Sequence, residues 1–100
     1  ISNEEIGRVI NILKGEKTSM PQNWNRRYRA NMEKIKSGDI FEIAVVVRNL
    51  MLRDAEKTLS TGERKMLNNA KQMLISEIVL ATDYTQEETE KLIDEAVNCL

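Results

Sequence analysis

The fold is decided by residues 37–50, which read SGDIFEIAVVVRNL. Gly38 can adopt the left-handed conformation that closes a helix, and Asp39 can cap the next helix, with Glu42 reaching back as in a capping box. The three consecutive valines that follow would suit a strand by propensity, but the caps and the three-to-four-residue spacing of the apolar side chains favour a helix. Because the segment is apolar nearly all round, we predict a helix over about residues 40–57 in the centre of a bundle.

Four further segments show the apolar periodicity of amphipathic helices. Ser2 or Asn3 can cap the first, and capping-box signatures start the last two, Ser60 with Glu63 and Thr85 with Glu88. The predicted helices cover about residues 4–14, 23–36 and 61–80 or 81, and a last helix follows Thr85. The side chains predicted to form their apolar stripes are Ile6, Val9, Ile10 and Leu13; Trp24, Tyr28, Met32 and Ile35; Leu67, Ala70, Leu74, Ile78 and Ala81; and Leu92, Ile93, Ala96, Val97 and Leu100. The sequence thus predicts an all-α fold, a compact bundle of about five helices that forms one domain over residues 1–100.

The composition restricts the classes of protein to which the chain can belong. Hydrophobic residues make up 41 % and charged residues 31 % of the chain, which is too apolar for disorder. No apolar run approaches the roughly 18–20 residues of a membrane span. The chain begins at Ile1 and not at Met, which suggests a processed protein or a domain cut from something longer. The single cysteine, Cys99, fits a reducing compartment, so we expect a cytoplasmic location.

The sequence lacks the residues that most catalytic and metal sites require. There is no histidine, and one cysteine alone cannot build a zinc site or a Cys-His pair. The sequence also contains no phosphate-binding glycine loop, dinucleotide fingerprint or spaced set of oxygen ligands. We therefore expect neither an enzyme nor a bound metal or cofactor.

Charge is distributed unevenly along the chain. Residues 17–65 carry 11 basic and 6 acidic side chains, whereas residues 66–100 carry 2 basic and 7 acidic ones. Such a dipolar domain can present its basic half to a polyanion, although helices of any globular protein show fluctuations of this kind. The densest basic cluster is residues 24–36, WNRRYRANMEKIK, which also holds the only tryptophan.

Individual residues of this cluster allow two interpretations. Trp24 either packs into the core in line with Tyr28, or stays exposed beside the arginines, where it could stack on or wedge against a base. Arg26 and Arg29 lie off the apolar stripe of their helix and suit phosphate oxygens. Arg27 could instead form a structural ion pair, and for Arg48, within the apolar third helix, an ion pair is the favoured interpretation.

The order of motifs from residue 21 to residue 81 resembles a known family. The segment PQNWNRRYRANMEKIKSGDIFEIAVVVRNL, continued by LSTGERKMLNNAKQMLISEIVLA, contains a Trp followed by Arg-Arg-Tyr, an Asn, a Ser-Gly-Asp break, Val-Val-Arg-x-Leu and Leu-Ser-x-Gly-Glu. This pattern is similar to the C-terminal domain of the CarD/CdnL family of bacterial transcription regulators. In that family a Tudor-like N-terminal domain binds the RNA polymerase β subunit, and the helical domain contacts promoter DNA. Because this chain has no all-β segment, we expect the polymerase-binding domain to be missing from it.

The resemblance also implies roles for individual residues. Trp24 would act as a wedge in the minor groove at the upstream edge of the transcription bubble and so stabilise the open promoter complex. Arg26 and Arg29 would be the nearest phosphate contacts, and Arg64, Lys65 and Arg53 would extend the patch. The protein would then associate with the nucleoid through RNA polymerase.

A second hypothesis follows from the basic face alone. The domain could be a helical protein-interaction module that docks an acidic partner surface. Trp24 separates the two hypotheses, because an exposed indole favours DNA contact and a fully buried one favours the interaction module.

Overall fold

Five helices make up the regular secondary structure of residues 1–97, which are the residues that the computed structural model describes. They are α1 (Asn3–Lys14), α2 (Trp24–Lys36), α3 (Ile40–Glu56), α4 (Thr61–Ala81) and α5 (Gln86–Val97). Within residues 1–97 there is no strand, so the predicted all-α fold is confirmed, and the predicted helix limits agree to within one or two residues. Two residues discussed above, Cys99 and Leu100, lie outside the described range.

Helix α3 forms the centre of the bundle, as its sequence predicts. It packs against all four other helices, and its buried side chains run almost without interruption from Ile43 to Leu50. Around it the core is completed by Val9 and Leu13 of α1, Leu74 and Ile75 of α4, and Ile93 of α5 among others. The helical interpretation of the valine run is thereby confirmed. Burial on all sides of α3 explains why this segment shows no polar face.

The helix caps partly follow the sequence signatures. In α1 the Ser2 hydroxyl accepts from the Glu5 amide and the Glu5 carboxylate accepts from the Ser2 amide, and Thr85 and Glu88 form the same reciprocal pair before α5. The hydrogen bond from the Ser2 amide is the main reason why the pKa of Glu5 is lowered.

The capping box predicted for Asp39 and Glu42 is wrong. Asp39 caps α3 by accepting from the Phe41 amide at 2.9 Å, but its own amide donates to the Ser37 hydroxyl at 3.2 Å. The Glu42 side chain therefore has no free amide to reach back to. Between these residues Gly38 has a φ of +73°, so the predicted left-handed helix end is confirmed.

Two buried polar residues of α3 hold the loop that joins α1 to α2. Asn49 donates to the Thr18 hydroxyl at 2.8 Å and accepts from the Thr18 amide at 3.1 Å. Arg48 donates to the Ile12 carbonyl at 3.0 Å and to the Thr18 hydroxyl at 3.4 Å. Within residues 1–97 no carboxylate lies within 4.0 Å of Arg48, so the ion pair predicted for it is wrong. The partially negative carbonyl at the C-terminal end of α1 takes the place of a carboxylate.

We predict opposite effects of alanine at two glycines. Gly38→Ala forces a side chain into the left-handed region and should cost about 1–2 kcal/mol of unfolding free energy. Gly7 lies within α1, where an added Cβ meets nothing within 4 Å, so Gly7→Ala should stabilise the protein by about 0.5–1 kcal/mol. Urea denaturation of both variants measures the two changes, and a Gly38→Ala variant as stable as the wild type would contradict the assignment.

Candidate nucleic-acid interface

Trp24 is the first residue of α2 and lies on the protein surface with its indole held in place. The side chain is 42 % exposed. Its Nε1 donates to the Ser60 hydroxyl at 2.9 Å, and its ring stacks on Tyr28 with 5.1 Å between centroids. A Cβ atom placed on Gly62 would lie 3.5 Å from the indole, so the ring covers the start of α4. The partial exposure that the DNA-binding interpretation requires is therefore observed, and the indole orientation is fixed by α4.

The Ser60 hydroxyl connects the indole to the N-terminus of α4. It accepts from Trp24 and from the Glu63 amide, and it donates to Glu63 Oε1 at 3.3 Å. A serine hydroxyl has one donor and two acceptor sites, so each of its hydrogen-bonding sites has a partner. Ser60 thus caps α4 as predicted, but the Glu63 carboxylate does not return to the Ser60 amide as in a capping box.

The Glu63 carboxylate instead forms an ion pair with Arg27 of α2. Arg27 Nε lies 2.7 Å from Glu63 Oε2 and Arg27 Nη2 lies 3.2 Å from Oε1, and each side chain is only 3 % exposed. Arg27 also donates to the carbonyl oxygens of Gln22, at 2.9 Å, and Pro21, at 3.4 Å. The structural role considered for Arg27 is confirmed, and the pair ties α2, α4 and the preceding loop together.

The pair determines the ionisation of Glu63. Burial alone would raise the pKa of this carboxyl, but the hydrogen bonds and the positive charge of Arg27 outweigh it, so the pKa lies below its ordinary value of 4.5. A carboxylate with a lowered pKa in the folded state stabilises the protein above its unfolded-state pKa. That contribution is lost as the pH falls from about 4.5 through the lowered value.

The buried face of α2 differs from the apolar stripe expected from the sequence. Its two fully buried side chains are polar, Arg27 and Asn31, whereas Tyr28, Met32 and Ile35 are only partly buried against the core. Asn31 donates to the Met20 sulfur at 3.7 Å. Sequence periodicity could not indicate this, because the acceptors lie in other parts of the chain.

The predicted phosphate-contacting residues occupy different environments. Arg26 and Arg29 are exposed on α2, and Lys65 is exposed in the first turn and a half of α4. None of these three has a carboxylate within 4.0 Å among residues 1–97. Arg64 is half exposed and pairs with Asp54 at 3.1 Å. Because Trp24 contacts residues 60 and 62, the structure brings the start of α2 and the start of α4 together.

Arg53 is the predicted contact that the structure buries most. It lies half-buried in the last turn of α3, and its Nε has no hydrogen-bond partner within residues 1–97. Its charge acts on the Glu63 carboxylate. Arg53 therefore helps to keep Glu63 ionised, which is a role within the protein.

Other kinds of site are not found in the described part of the chain. No helix within residues 1–97 is both long and apolar enough to cross a membrane. The same residues contain no cluster of three or more acidic, histidine or cysteine side chains arranged to hold a metal ion.

Together, these observations define a small helical domain in which a half-exposed tryptophan, anchored by Ser60, begins a helix that also carries exposed arginines. The profile of the family described as CarD, C-terminal domain, matches residues 8–94, and the chain belongs to this family. The resemblance found in the sequence is thereby confirmed. A Bacillus subtilis (strain 168) protein named "Putative transcription factor YdeB" is 46 % identical over 65 residues, which cover 65 % of this chain and 42 % of that protein. The chain thus matches about two fifths of the length of this curated relative.

We predict that Glu63→Gln destabilises the protein and flattens its acid unfolding. Arg27 would stay buried without a counter-charge, which costs about 3–5 kcal/mol. The fall in stability below pH 4.5 should also become shallower, because the carboxylate with the lowered pKa is gone. Urea denaturation from pH 7 to pH 3 measures both effects, with Glu33→Gln, an exposed residue of α2, as the control. Equal acid profiles for Glu63→Gln and the wild type would contradict this role.

A second prediction separates the capping role of Ser60 from its contact with the indole. Ser60→Ala and Thr85→Ala each remove a helix cap and should each cost about 1 kcal/mol. Only Ser60→Ala frees the indole of Trp24, the one tryptophan in the chain. Its emission should shift to the red and become easier to quench with acrylamide, whereas Thr85→Ala should leave the spectrum unchanged. Identical spectra for the two variants would show that Ser60 does not hold the indole.

Proposed function

We propose that this domain binds promoter DNA as part of a transcription regulator that acts on RNA polymerase. In this proposal Trp24 wedges into the minor groove at the upstream fork of the transcription bubble and stabilises the open promoter complex. The single observation that carries the proposal is the half-exposed indole that Ser60 anchors, on a helix whose exposed Arg26 and Arg29 have no carboxylate partner within residues 1–97. Membership of the CarD family and the name of the Bacillus relative support the transcriptional role.

The geometry of Trp24 suits a wedge. An aromatic side chain that stacks on a base contributes about 1–3 kcal/mol, and apolar side chains inserted between base steps unstack and bend DNA. The contacts with Ser60 and Tyr28 already restrict the indole, so little side-chain freedom remains to be lost on binding. The exposed part of the ring can then contact a base pair that has lost its stacking neighbour.

The basic residues would hold the DNA backbone without reading its sequence. Arg26, Arg29 and Lys65 are exposed cations that phosphate oxygens can reach directly. Arg64 would exchange its partly exposed pair with Asp54 for a phosphate, at small cost because such surface pairs contribute little. Arg53 would contribute mainly through its charge, since it is half-buried beside Glu63.

The polymerase contact proposed for the whole protein belongs to a different domain. In the CarD family this is the Tudor-like domain that binds the polymerase β subunit, and this helical chain contains nothing similar within residues 1–97. Binding by the helical domain alone should then be weak, on the order of 10⁻⁴–10⁻⁶ M, because polymerase would supply the effective concentration.

The proposal places the protein in the cytoplasm, at the nucleoid. The alternative, an interaction module that docks an acidic protein surface, gains no support from a Trp24 that is exposed.

We predict that the domain binds a fluorescent DNA duplex with an unpaired fork, and does so more weakly as salt increases. Arg26→Ala/Arg29→Ala should lower the affinity for all DNA and reduce the slope of log K against log salt by about one to two units, one for each phosphate that the variant no longer neutralises. Trp24→Ala should abolish the preference for the fork over intact duplex and leave most of the salt dependence.

The matched control is Lys14→Ala/Lys91→Ala, which removes two exposed cations from α1 and α5. Circular dichroism first establishes that every variant is folded. Equal binding by the wild type, the Arg26/Arg29 variant and the control, or no binding even at low salt, would contradict the proposal.

A further inference from the structure

A second basic feature lies between the loop that joins α1 to α2 and the C-terminal end of α3. It is an open pocket of about 620 Å³. The charged residues that line it are Lys17, Arg53, Glu56 and Lys57, and Thr18 and Ser19 of the loop line it as well. Three cations thus face one carboxylate in a cavity large enough for a phosphate group.

The loop side of this pocket is held rigidly by buried residues. Thr18 makes three hydrogen bonds with Arg48 and Asn49 of α3. Further along the loop, the Gln22 carbonyl accepts from Arg27 at 2.9 Å. Since hydrogen bonds hold the loop at Thr18 and at Gln22, a ligand need not order the backbone on this side of the pocket.

The charge of the pocket is positive after its internal pair is counted. Glu56 Oε2 lies 2.8 Å from Lys17 Nζ, and this hydrogen bond is the main reason why the pKa of Glu56 is lowered. Arg53 and Lys57 have no carboxylate within 4.0 Å among residues 1–97. Cations at the C-terminal end of a helix ordinarily offset a dipole of about half a negative charge. Arg53 and Lys57 together carry more positive charge than the α3 dipole requires, so dipole compensation alone does not explain both of them.

The pocket lies next to the surface that carries Trp24. Gln22, which also lines the pocket, precedes Trp24 by two residues. Lys57 precedes Ser60, the hydrogen-bond partner of the indole, by three residues, a distance of at most about 11 Å along an extended chain. One DNA strand advances about 3.4 Å for each base pair, so a backbone within contact of Trp24 can pass the pocket a few nucleotides away.

We propose that this pocket is a phosphate-binding site, and that in the DNA complex it holds a backbone phosphate a few nucleotides from the base contacted by Trp24. Lys57 and Arg53 supply the charge, and Lys17 turns from Glu56 to the phosphate. The DNA part of this inference rests on the proposed function, whereas phosphate binding by the pocket does not.

The test uses two variants of opposite sign, Lys57→Gln and Glu56→Gln, in the same fork-DNA titration. Lys57→Gln should weaken binding and reduce the salt slope by about one unit. Glu56→Gln removes the carboxylate that competes for Lys17, so it should strengthen binding. Lys91→Gln, at an exposed position of α5, should change neither. If the Lys17–Glu56 pair is purely structural, Glu56→Gln will not increase the affinity for DNA, and the proposal is contradicted. Urea denaturation establishes whether any variant is destabilised.

A second arm replaces DNA by inorganic pyrophosphate and follows backbone amide shifts by NMR. Shifts centred on residues 17–19 and 57 that saturate, and that Lys57→Gln weakens, support the phosphate site without reference to DNA. If those shifts occur while no variant alters DNA binding, the pocket binds a free phosphate compound, and the proposal that it holds a DNA backbone phosphate is overturned. If pyrophosphate causes no shifts and both variants bind DNA like the wild type, the phosphate site is overturned. In that last case a fork preference that still depends on Trp24 would leave the proposed function standing.

Discussion

The position of the candidate interface depends on the buried ion pair between Arg27 and Glu63. Transfer of two charges from water into a protein interior is expensive, and only close geometry with further hydrogen bonds offsets it. Both conditions are met, because the two side chains pair through two contacts and Arg27 also donates to the Pro21 and Gln22 carbonyls. The pair therefore fixes the loop before α2 and the start of α4 in a single arrangement.

This arrangement explains why an exposed tryptophan can be well ordered. Glu63 accepts from Arg27 and from the Ser60 hydroxyl, and Ser60 in turn accepts from the Trp24 indole. An apolar pair in place of Arg27 and Glu63 could give similar stability. It would lack the carboxylate that orients the Ser60 hydroxyl, and the indole would lose its fixed partner. The Arg27–Glu63 pair thus orients the Ser60 hydroxyl and, through it, the Trp24 indole, which an apolar pair could not do.

The sequence predicted most features that depend on neighbouring residues. The exception is the capping box of Asp39 and Glu42, because the Ser37 hydroxyl accepts from the Asp39 amide. Helix limits, the caps at Ser2 and Thr85 and the left-handed Gly38 all follow from local hydrogen bonding or backbone sterics. Features that depend on distant residues could not be predicted in this way. Glu63 has the spacing of a capping-box residue, but its carboxylate is taken by Arg27, which lies 36 positions earlier. For the same reason the sequence left Trp24 open between core and surface, since the Ser60 that fixes it is equally remote.

The acidic and basic sides of the domain differ in how far ion pairs within the protein neutralise them. The acidic residues of α5 are partly neutralised within the protein, because Lys71 of α4 lies 2.6 Å from Asp94 and 3.6 Å from Glu90. The basic side differs, since Arg26 and Arg29 have no such partner among residues 1–97. Exposed charges without partners retain their full attraction for an external ion within about a Debye length. Because the net charge of the chain is only −1, attraction of a polyanion to this domain would come from the local placement of exposed arginines such as Arg26 and Arg29, and not from the total charge.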